Sequence, residues 1–296
     1  MMFRVRRLLV PFVLCIALLF SEAQAFTIAW LSDTQNYHNA YKPIFDGMTQ
    51  WIADNRAALD IRFVFHTGDV VGSWSSEDQW RQARESMGIL SSASIPFLAA
   101  CGNHDIGYRM NYANFLKYVL SLRPASMSQE YGDTGSRYEL FSANGRDYIF
   151  MGIAFSNKGP SEDEVNWING VLRQYSSRDA IIITHSYLKK SASYTTQGKA
   201  IFEKIVKANP NVFLVLCGHC RDISYKNVQL DDDGDGDPDR TVYAILSNFQ
   251  GSKAGGGGYM RILDFRDSDI YIYTYSPYYD SCEYPKGKTE ATVPLP

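Results

Sequence analysis

Short apolar runs alternate with segments of helical periodicity along most of the chain. Thr27–Leu31 and Ile61–Phe65 are strand-like, and apolar side chains between Ile44 and Ile52 recur at helical spacing. The same alternation predicts further strands at Phe97–Ala100, Arg137–Phe141, Tyr148–Ile153, Ile181–Thr184 and Val212–Leu216, and further helices at Glu77–Leu90, Asn111–Leu120, Glu162–Tyr175 and Lys199–Ala208.

The last third of the chain is strand-like at Val242–Leu246, Met260–Asp264 and Ile270–Tyr275. Apolar runs that alternate with helices indicate parallel strands covered on both faces. The later strands indicate a second, more antiparallel sheet, so the pattern predicts an α/β fold of two packed sheets with outer helices. No linker-like segment divides residues 26–296, which we predict to be one domain; Ala254–Gly258 is expected to be a flexible loop.

The N-terminus has the pattern of a secretory signal peptide. Three arginines precede the apolar run Leu8–Phe20, and Ala23-Gln24-Ala25 is a small-x-small cleavage site. We therefore predict residues 1–25 to be a signal peptide and the protein to be secreted or periplasmic. An uncleaved membrane anchor is the alternative, although the run is short for a bilayer span.

Charge and composition exclude some partners. The 296 residues carry a net charge of −3, which becomes −5 without the three Arg and one Glu of residues 1–25. Nothing suggests the concentrated basic face of a nucleic-acid-binding protein. No second apolar run is long enough to span a membrane, so no membrane contact is expected beyond the signal peptide.

Four polar clusters and a lone histidine each follow an apolar strand-like run: Asp33-Thr34-Gln35, Gly68-Asp69, Gly102-Asn103-His104-Asp105, Gly218-His219 and His185. Strand-end loops of α/β sheets are the usual place for ligands. Carboxylates, an Asn carbonyl and imidazoles suit Zn, Fe, Mn or Mg. The pattern therefore predicts a site for one or two divalent metal ions at a sheet edge.

In this order, the clusters resemble the signature of the calcineurin-like metallophosphoesterases: Asp-x-His, Gly-Asp, Gly-Asn-His-Asp/Glu, His, then Gly-His-x-His. The resemblance covers Phe26 to about Pro277, and the Asp-Thr-Gln first motif is similar to a secreted bacterial branch. It implies a four-layer α/β/β/α sandwich of two mixed β-sheets flanked by helices. It also implies cleavage of a phosphomonoester or phosphodiester by a metal-activated hydroxide.

Two metal positions follow from the resemblance. Asp69 would bridge both ions, and Asp33 would serve the first position. Asn103, His185 and His219 would complete the second position. Two such ions can activate a water and clamp the phosphate.

The resemblance further implies that His104 stabilises or protonates the leaving oxygen, oriented by Asp105. Two residues depart from the family pattern: Gln35 and Arg221 stand where the first metal would have histidines. A Gln carbonyl oxygen can bind a hard cation, whereas a guanidinium cannot. Arg221 is expected either to bind substrate phosphate or to pair with a carboxylate such as Asp222 or Asp33.

Two other function classes stay open. Loss of the first metal position would leave a catalytically impaired binding protein on the same fold. Cys217-Gly218-His219-Cys220 also matches the motif of thiol–disulfide oxidoreductases, but it follows a strand late in the chain instead of opening a helix. A structural disulfide, Cys217 with Cys220 or Cys101 with Cys217, is the other interpretation of these cysteines.

An acidic run has the pattern of a structural calcium site. Asp231, Asp233, Asp235 and Asp239 have the alternating spacing of thrombospondin-like calcium loops, and a solvated hairpin loop is the alternative.

Three further features have plain structural interpretations. His66 is predicted to be a core histidine, and His38 a solvated loop histidine instead of a replacement ligand. The aromatic residues of Tyr271–Tyr279 fit core and edge packing; a carbohydrate- or aromatic-binding surface is the alternative.

Overall fold

Strands and helices alternate as the hydrophobic pattern predicts. The computed structural model describes residues 25–122, 129–285 and 290–296. The predicted signal peptide therefore lies outside the described residues, except for Ala25. The strands are β1 (Phe26–Leu31), β2 (Ile61–His66), β3 (Phe97–Ala99), β4 (Gln129–Tyr131), β5 (Ser136–Ala143), β6 (Arg146–Ile153), β7 (Asp179–Thr184), β8 (Val212–Cys217), β9 (Asp222–Leu230), β10 (Arg240–Asn248), β11 (Met260–Phe265), β12 (Asp269–Tyr275) and β13 (Ala291–Pro294).

The helices cover the outer faces of the sheets. The α-helices are α1 (Lys42–Asp54), α2 (Glu77–Ser92), α3 (Asn103–Ile106), α4 (Ala113–Tyr118), α5 (Glu162–Gln174) and α6 (Thr196–Ile201). The side chains of Ser76 and Ser161 each accept a hydrogen bond from a backbone N–H in the first turn of α2 and α5, respectively. These N-caps explain where the two helices begin. A π-helical turn at Phe202–Val206 continues α6, where a single helix was predicted.

Two mixed sheets form the centre of the molecule. The first has the strand order β13-β12-β11-β1-β2-β3, and the second has the order β4-β5-β6-β7-β8-β10-β9. Strands β1, β2 and β3 are parallel, as are β6, β7, β8 and β10, and the remaining pairs are antiparallel. The predicted α/β/β/α sandwich is confirmed.

Three apolar layers correspond to this architecture. Phe65 of β2, Phe150 of β6 and Leu216 of β8 belong to the cluster between the sheets. A second cluster joins the first sheet to α1 and α2, and a third joins the second sheet to α5 and α6. Helices therefore cover one face of each sheet, and the other faces meet.

The pattern predicted that the later strands form a second, more antiparallel sheet, and this prediction is wrong. Strand β10 lies in the second sheet, whereas β11 and β12 lie in the first. Asp222–Leu230, which is not among the predicted strands, is an edge strand paired antiparallel to β10. The acidic run connects these two strands as a hairpin loop.

Candidate metal centre

Strands of both sheets end at the candidate ligands. Asp33 follows β1, Asp69 follows β2, and Asn103 opens α3 after β3. His185 follows β7 and His219 follows β8 of the second sheet. Because these five strand ends belong to parallel sets, their polar side chains meet at the carboxyl edges of the two packed sheets.

The ligand loops have strained backbones. Asp33, Asp69 and His219 have positive φ angles of 51°, 54° and 70°. Such conformations are uncommon for residues with a Cβ and cluster at functional sites. The sheets and the hydrogen bonds described below hold these loops in place.

Two glycines make the close approach of these loops possible. A Cβ on Gly102 would lie 2.1 Å from Asp69 Oδ1, and one on Gly218 would lie 2.3 Å from Asp33 Oδ2. Any side chain at either position would displace a candidate ligand. The glycines of both motifs are therefore structural requirements of the site.

Four donor atoms converge on one point. The Nε2 atom of His185 lies 3.1 Å from Asn103 Oδ1, 3.2 Å from His219 Nδ1 and 3.3 Å from Asp69 Oδ2. His185 and Asp69 are buried and His219 is half-buried. Two imidazole nitrogens, a carboxylate oxygen and an amide oxygen are the donor set that a divalent transition metal takes.

The tautomer of His185 is fixed from outside the cluster. Its Nδ1–H donates to the Thr67 carbonyl oxygen at 2.9 Å, so in the neutral ring Nε2 is an acceptor. His185 Nε2 then faces two acceptor oxygens, Asn103 Oδ1 at 3.1 Å and Asp69 Oδ2 at 3.3 Å, and a cation or a proton on Nε2 would relieve this opposition of lone pairs. The residues present thus fit a metal ion.

Electrostatics in the cluster favour positive charge. Burial alone would lower the pKa of His185, but the carboxylates of Asp69 and Asp33 outweigh burial and raise it. Burial and the neighbouring His185 lower the pKa of His219 to about 4, so that ring is neutral at neutral pH. The cluster therefore combines a neutral imidazole with a carboxylate environment that attracts a cation.

The residues of the predicted first position lie beside this cluster. The Asp33 carboxylate accepts the His219 backbone N–H at 3.1 and 3.2 Å and also the Ser32 hydroxyl. Burial raises the Asp33 pKa. Gln35 is buried, and no hydrogen-bond partner for its Oε1 is found within the described ranges. A buried acceptor without a partner is costly, and a cation bound by Gln35 Oε1 would satisfy it.

His104 and Asp105 are arranged differently from the expectation. His104 Nδ1 donates to the Gly72 carbonyl oxygen at 2.9 Å, and the ring is exposed. Asp105 accepts the backbone N–H groups of Val71 and Gly102 at 3.1 and 2.7 Å. Asp105 therefore ties two ligand loops together, and the carbonyl of Gly72 orients His104 instead.

Arg221 is free of the pairings that the sequence suggested. Asp222 binds Lys190 Nζ at 2.6 Å, and Asp33 is occupied by the Ser32 hydroxyl and backbone groups. Across the segments that the structure describes, no ion pair or hydrogen bond involves the exposed Arg221 side chain. A guanidinium two residues from His219 is thus available to an anion.

Three supporting residues were not apparent from the sequence. The Thr67 carbonyl holds His185, and Asn248 Nδ2 donates to the His219 carbonyl oxygen at 3.1 Å. Asn248 comes from the end of β10, far along the chain, so no local pattern could have indicated it. Asn36 Nδ2 donates to the Gln250 carbonyl oxygen at 3.3 Å and links the first motif to the segment that follows β10.

The two other histidines, His66 and His38, do not belong to the candidate ligand cluster. His66 is a core histidine, as predicted: its Nδ1 accepts the Gly68 N–H at 3.1 Å and its Nε2 lies 3.0 Å from Thr34 Oγ1. Burial lowers the His66 pKa to about 3. His38 is half-buried and does not belong to the cluster of ligand atoms within the described residues.

The cysteines form neither of the predicted disulfides. Cys101, Cys217, Cys220 and Cys282 are all free thiols. Cys217 is buried at the end of β8, and burial raises its pKa to about 12. A thiol–disulfide exchange site needs an accessible thiol of lowered pKa, so the geometry does not fit the redox alternative.

The acidic hairpin loop brings three of its four predicted calcium ligands together. Carboxylate oxygens of Asp231, Asp233 and Asp239 lie within 4.8 Å of one another, whereas Asp235 is outside this group. Asp231 and Asp239 also accept backbone N–H groups of the loop. Calcium binding stays a prediction, because an exposed loop of this kind is stable as a solvated turn.

Comparison with known proteins agrees with this site. Residues 26–220 match the family described as "Calcineurin-like phosphoesterase", and the chain belongs to that family. This confirms the resemblance found in the motifs. The family uses divalent metals, which is compatible with the buried Asp69, His185 and His219 cluster.

A curated relative is the uncharacterized protein YvnB of Bacillus subtilis strain 168. It is 41% identical over 259 residues, which cover 86% of this chain and 20% of YvnB. The chain therefore spans about a fifth of the length of that relative.

Solved structures share the fold at low sequence identity. A dimetal phosphatase from Danio rerio has a TM-score of 0.61 at 12% identity, covering 91% of this chain and 98% of the other. The purple acid phosphatase PPD1 from yellow lupin (Lupinus luteus) has a TM-score of 0.59 at 13% identity, covering 92% and 55%. Within the described residues, every helix is too short or too polar to cross a membrane.

Proposed function

We propose that this protein is an exported, metal-dependent hydrolase that cleaves a phosphoester. Membership of the calcineurin-like phosphoesterases supports metal-dependent phosphoester hydrolysis in general. The observation that carries the proposal for this chain is the convergence of Asp69, Asn103, His185 and His219 donor atoms on one point. Export rests on the signal-like pattern of residues 1–25.

The ligand residues divide between two positions. Asp69, Asn103, His185 and His219 would hold one ion, and Asp69, Asp33 and Gln35 would contribute to a second, weaker position. When bound, the ions supply water activation and positive charge at the phosphoryl oxygens.

His104 and Arg221 serve the substrate in this proposal. With Nδ1 bound to Gly72, His104 Nε2 is the ring atom left to stabilise or protonate the leaving oxygen. The guanidinium of Arg221 would bind phosphoryl oxygens. Because the first metal position lacks a histidine ligand, its ion is weakly bound, and Arg221 would replace part of the positive charge of that ion. Asp105 would be a positioning residue that holds the Val71 and Gly102 backbones.

Substitution of the shared ligand tests the proposal. We expect Asp69→Asn to lower kcat/KM for 4-nitrophenyl phosphate with added manganese by about 10³-fold, equivalent to about 4 kcal/mol of transition-state stabilisation. Asp78→Asn, on the exposed face of α2, is the matched control and should leave activity unchanged. Retained activity in Asp69→Asn would contradict the assignment of Asp69.

The second candidate function is that of a binding protein with an impaired metal centre. The observation that favours it is Arg221, which stands where the family has a histidine ligand of the first metal. Metal analysis of the purified protein separates the two functions. Fewer than one transition metal per chain, together with no cleavage of 4-nitrophenyl phosphate with added manganese, would favour the binding protein. At least one ion and measurable hydrolysis would favour the enzyme.

A further inference from the structure

A phenylalanine ring lies against the two imidazoles of the candidate metal centre. The ring centroid of Phe155 is 5.8 Å from that of His185 and 5.9 Å from that of His219, and the two imidazole centroids are 4.9 Å apart. Aromatic rings attract each other at such separations. The three rings therefore form one cluster, in which Phe155 packs on both histidines and is only 8% exposed.

Strand direction brings Phe155 to this place, although it lies outside the polar clusters that indicated the site. Ile153, the last residue of β6, is paired in parallel register with Thr184, the last residue of β7. His185 follows Thr184 directly, and Phe155 follows Ile153 by two residues. The carboxyl ends of two neighbouring parallel strands thus supply a candidate ligand and the ring that packs on it.

The backbone of Phe155 is bonded to the segments that follow β3. Its N–H donates to the Cys101 carbonyl oxygen at 3.3 Å, and its carbonyl oxygen accepts the Tyr112 hydroxyl at 3.1 Å. Cys101 directly precedes Gly102 and Asn103, the motif that supplies the amide oxygen of the cluster. The position of the Phe155 ring is therefore coupled to the position of a third candidate ligand.

The side-chain amide of Gln197 holds the residues on both sides of Phe155. Its Nε2 donates to the Ala154 carbonyl oxygen at 2.8 Å, and its Oε1 accepts the Ser156 backbone N–H at 3.2 Å. Gln197 Nε2 also donates to the Thr184 hydroxyl oxygen at 3.4 Å, and the side chain is buried. Because buried polar groups are costly to leave without partners, these bonds fix the Phe155 segment to the end of β7.

The two imidazoles differ in how their rings are held. His185 Nδ1 donates to the Thr67 carbonyl oxygen, whereas His219 Nε2 has no hydrogen bond to any residue within 25–122, 129–285 and 290–296. A metal-binding imidazole is usually oriented by a hydrogen bond of its second nitrogen. For His219, packing against Phe155 and His185 takes the place of that bond.

We propose that Phe155 is a positioning residue of the metal centre: its ring keeps the imidazoles of His185 and His219 turned so that their nitrogens converge. The phenyl ring has no donor or acceptor atom, so it acts only through the two histidines. Gln197 holds the segment of Phe155 and supports the same role. This inference rests on the proposed function, because it concerns the metal centre of the same site.

Cobalt binding to the metal-free protein tests this role. Phe155→Leu keeps an apolar side chain but removes the ring, and we expect it to bind cobalt about tenfold more weakly than the unchanged protein. It should also change the visible absorption spectrum of the bound cobalt, because that spectrum depends on the geometry of the ligands.

Phe150→Leu is the matched control on the same strand. Phe150 is buried, and its ring contacts are with Tyr148 and other phenylalanines, not with an imidazole. This variant should lower the free energy of unfolding in urea and leave cobalt affinity and the spectrum unchanged. If Phe155→Leu behaves in the same way as Phe150→Leu, Phe155 has only a packing role and the proposal is wrong.

Gln197→Met tests the same role without changing the ring. It removes the hydrogen bonds to Ala154 and Ser156, so cobalt affinity should fall, but by less than in Phe155→Leu. Urea denaturation of each metal-free variant shows whether it is folded. If Phe155→Leu does not fold, Gln197→Met decides, and an unchanged cobalt affinity in that variant contradicts the proposal.

Hydrolysis of 4-nitrophenyl phosphate by the cobalt-loaded, unchanged protein separates failure of this inference from failure of the proposed function. If the protein binds cobalt but cleaves nothing, the hydrolase function fails, and the cobalt affinities of the variants still decide the role of Phe155. If it cleaves the ester and Phe155→Leu keeps the full cobalt affinity, only the positioning role fails. If the unchanged protein binds no cobalt, the metal centre and the positioning role are both contradicted.

Discussion

His66 illustrates how a single buried side chain can set the geometry of a metal site without binding the metal. Its two ring nitrogens reach Thr34 in the first motif loop and Gly68 in the second. These residues adjoin Asp33 and Asp69, two of the three candidate ligands with positive φ angles. His66 therefore couples the positions of two ligand loops, and burial keeps its ring neutral.

We expect His66→Phe to weaken metal binding while the fold is retained. The change removes both ring hydrogen bonds and leaves the buried Gly68 N–H without its acceptor, which costs about 1–3 kcal/mol. Loss of such supporting contacts typically lowers metal affinity about 10–100-fold. Calorimetric titration of manganese into the metal-free variant measures the effect.

Thr34→Val is the matched control, because it removes only one of the two bonds of His66. Its loss of manganese affinity should be smaller than that of His66→Phe. Affinity equal to that of the unchanged protein in His66→Phe would show that the loops keep their positions without this side chain.

The sequence could predict the ligands better than their partners. Asp69, Asn103, His185 and His219 were predicted as ligands because each follows an apolar strand-like run and matches a motif of the family, and the direction of the strands brings them together. The hydrogen bond of His104 to Gly72, in place of one to Asp105, depends on how the Gly68–Gly72 loop turns. Such contacts join residues across separate loops and leave no periodic signal.

Among the helices, two glycines of the same outer layer have opposite structural roles. A Cβ on Gly198 of α6 would lie 2.0 Å from the carbonyl oxygen of Tyr187, so this glycine lets α6 pack on the segment after His185. Gly170 of α5 is exposed, and nothing lies within 4 Å of a Cβ built there.

We predict that Gly198→Ala destabilises the protein and that Gly170→Ala stabilises it. The first change forces a backbone shift, at a cost of about 1–3 kcal/mol for overpacking, and should also lower activity by moving the segment of His185. The second gains about 0.5–1 kcal/mol, the usual difference between Ala and Gly in a helix. Urea denaturation of both variants measures this. A neutral or stabilising Gly198→Ala would contradict the close packing of α6.

The order of strands shows where hydrophobic periodicity stops being informative. Periodicity indicated β10, β11 and β12 as strands, but it could not show that β10 joins one sheet and β11 the other. Strand β9 was missed because its side chains are largely exposed or half-buried on an edge, so its sequence lacks a strong apolar face. Sheet membership is decided by long-range packing, which a local pattern does not contain.

For the molecule as a whole, the candidate metal centre lies where the two sheets meet. Asp69 and Asn103 follow strands of the first sheet, whereas His185 and His219 follow strands of the second. An ion held by all four therefore links the sheets at one edge of the sandwich. Because these ligands converge only in the folded chain, the ion binds the native state and not the unfolded state, and it stabilises the fold by mass action.

Removal of metal should consequently lower the melting temperature. At manganese concentrations about 100 times the dissociation constant, the native state gains about 2.7 kcal/mol, or roughly 5–10 °C for a chain of this size. Thermal unfolding with manganese and with excess chelator measures the difference. In Asp69→Asn the difference should shrink sharply, whereas in Asp231→Asn, which alters only the acidic hairpin loop, it should persist. A manganese effect that survives in Asp69→Asn but disappears in Asp231→Asn would move the stabilising ion to the hairpin loop and contradict the bridge between the sheets.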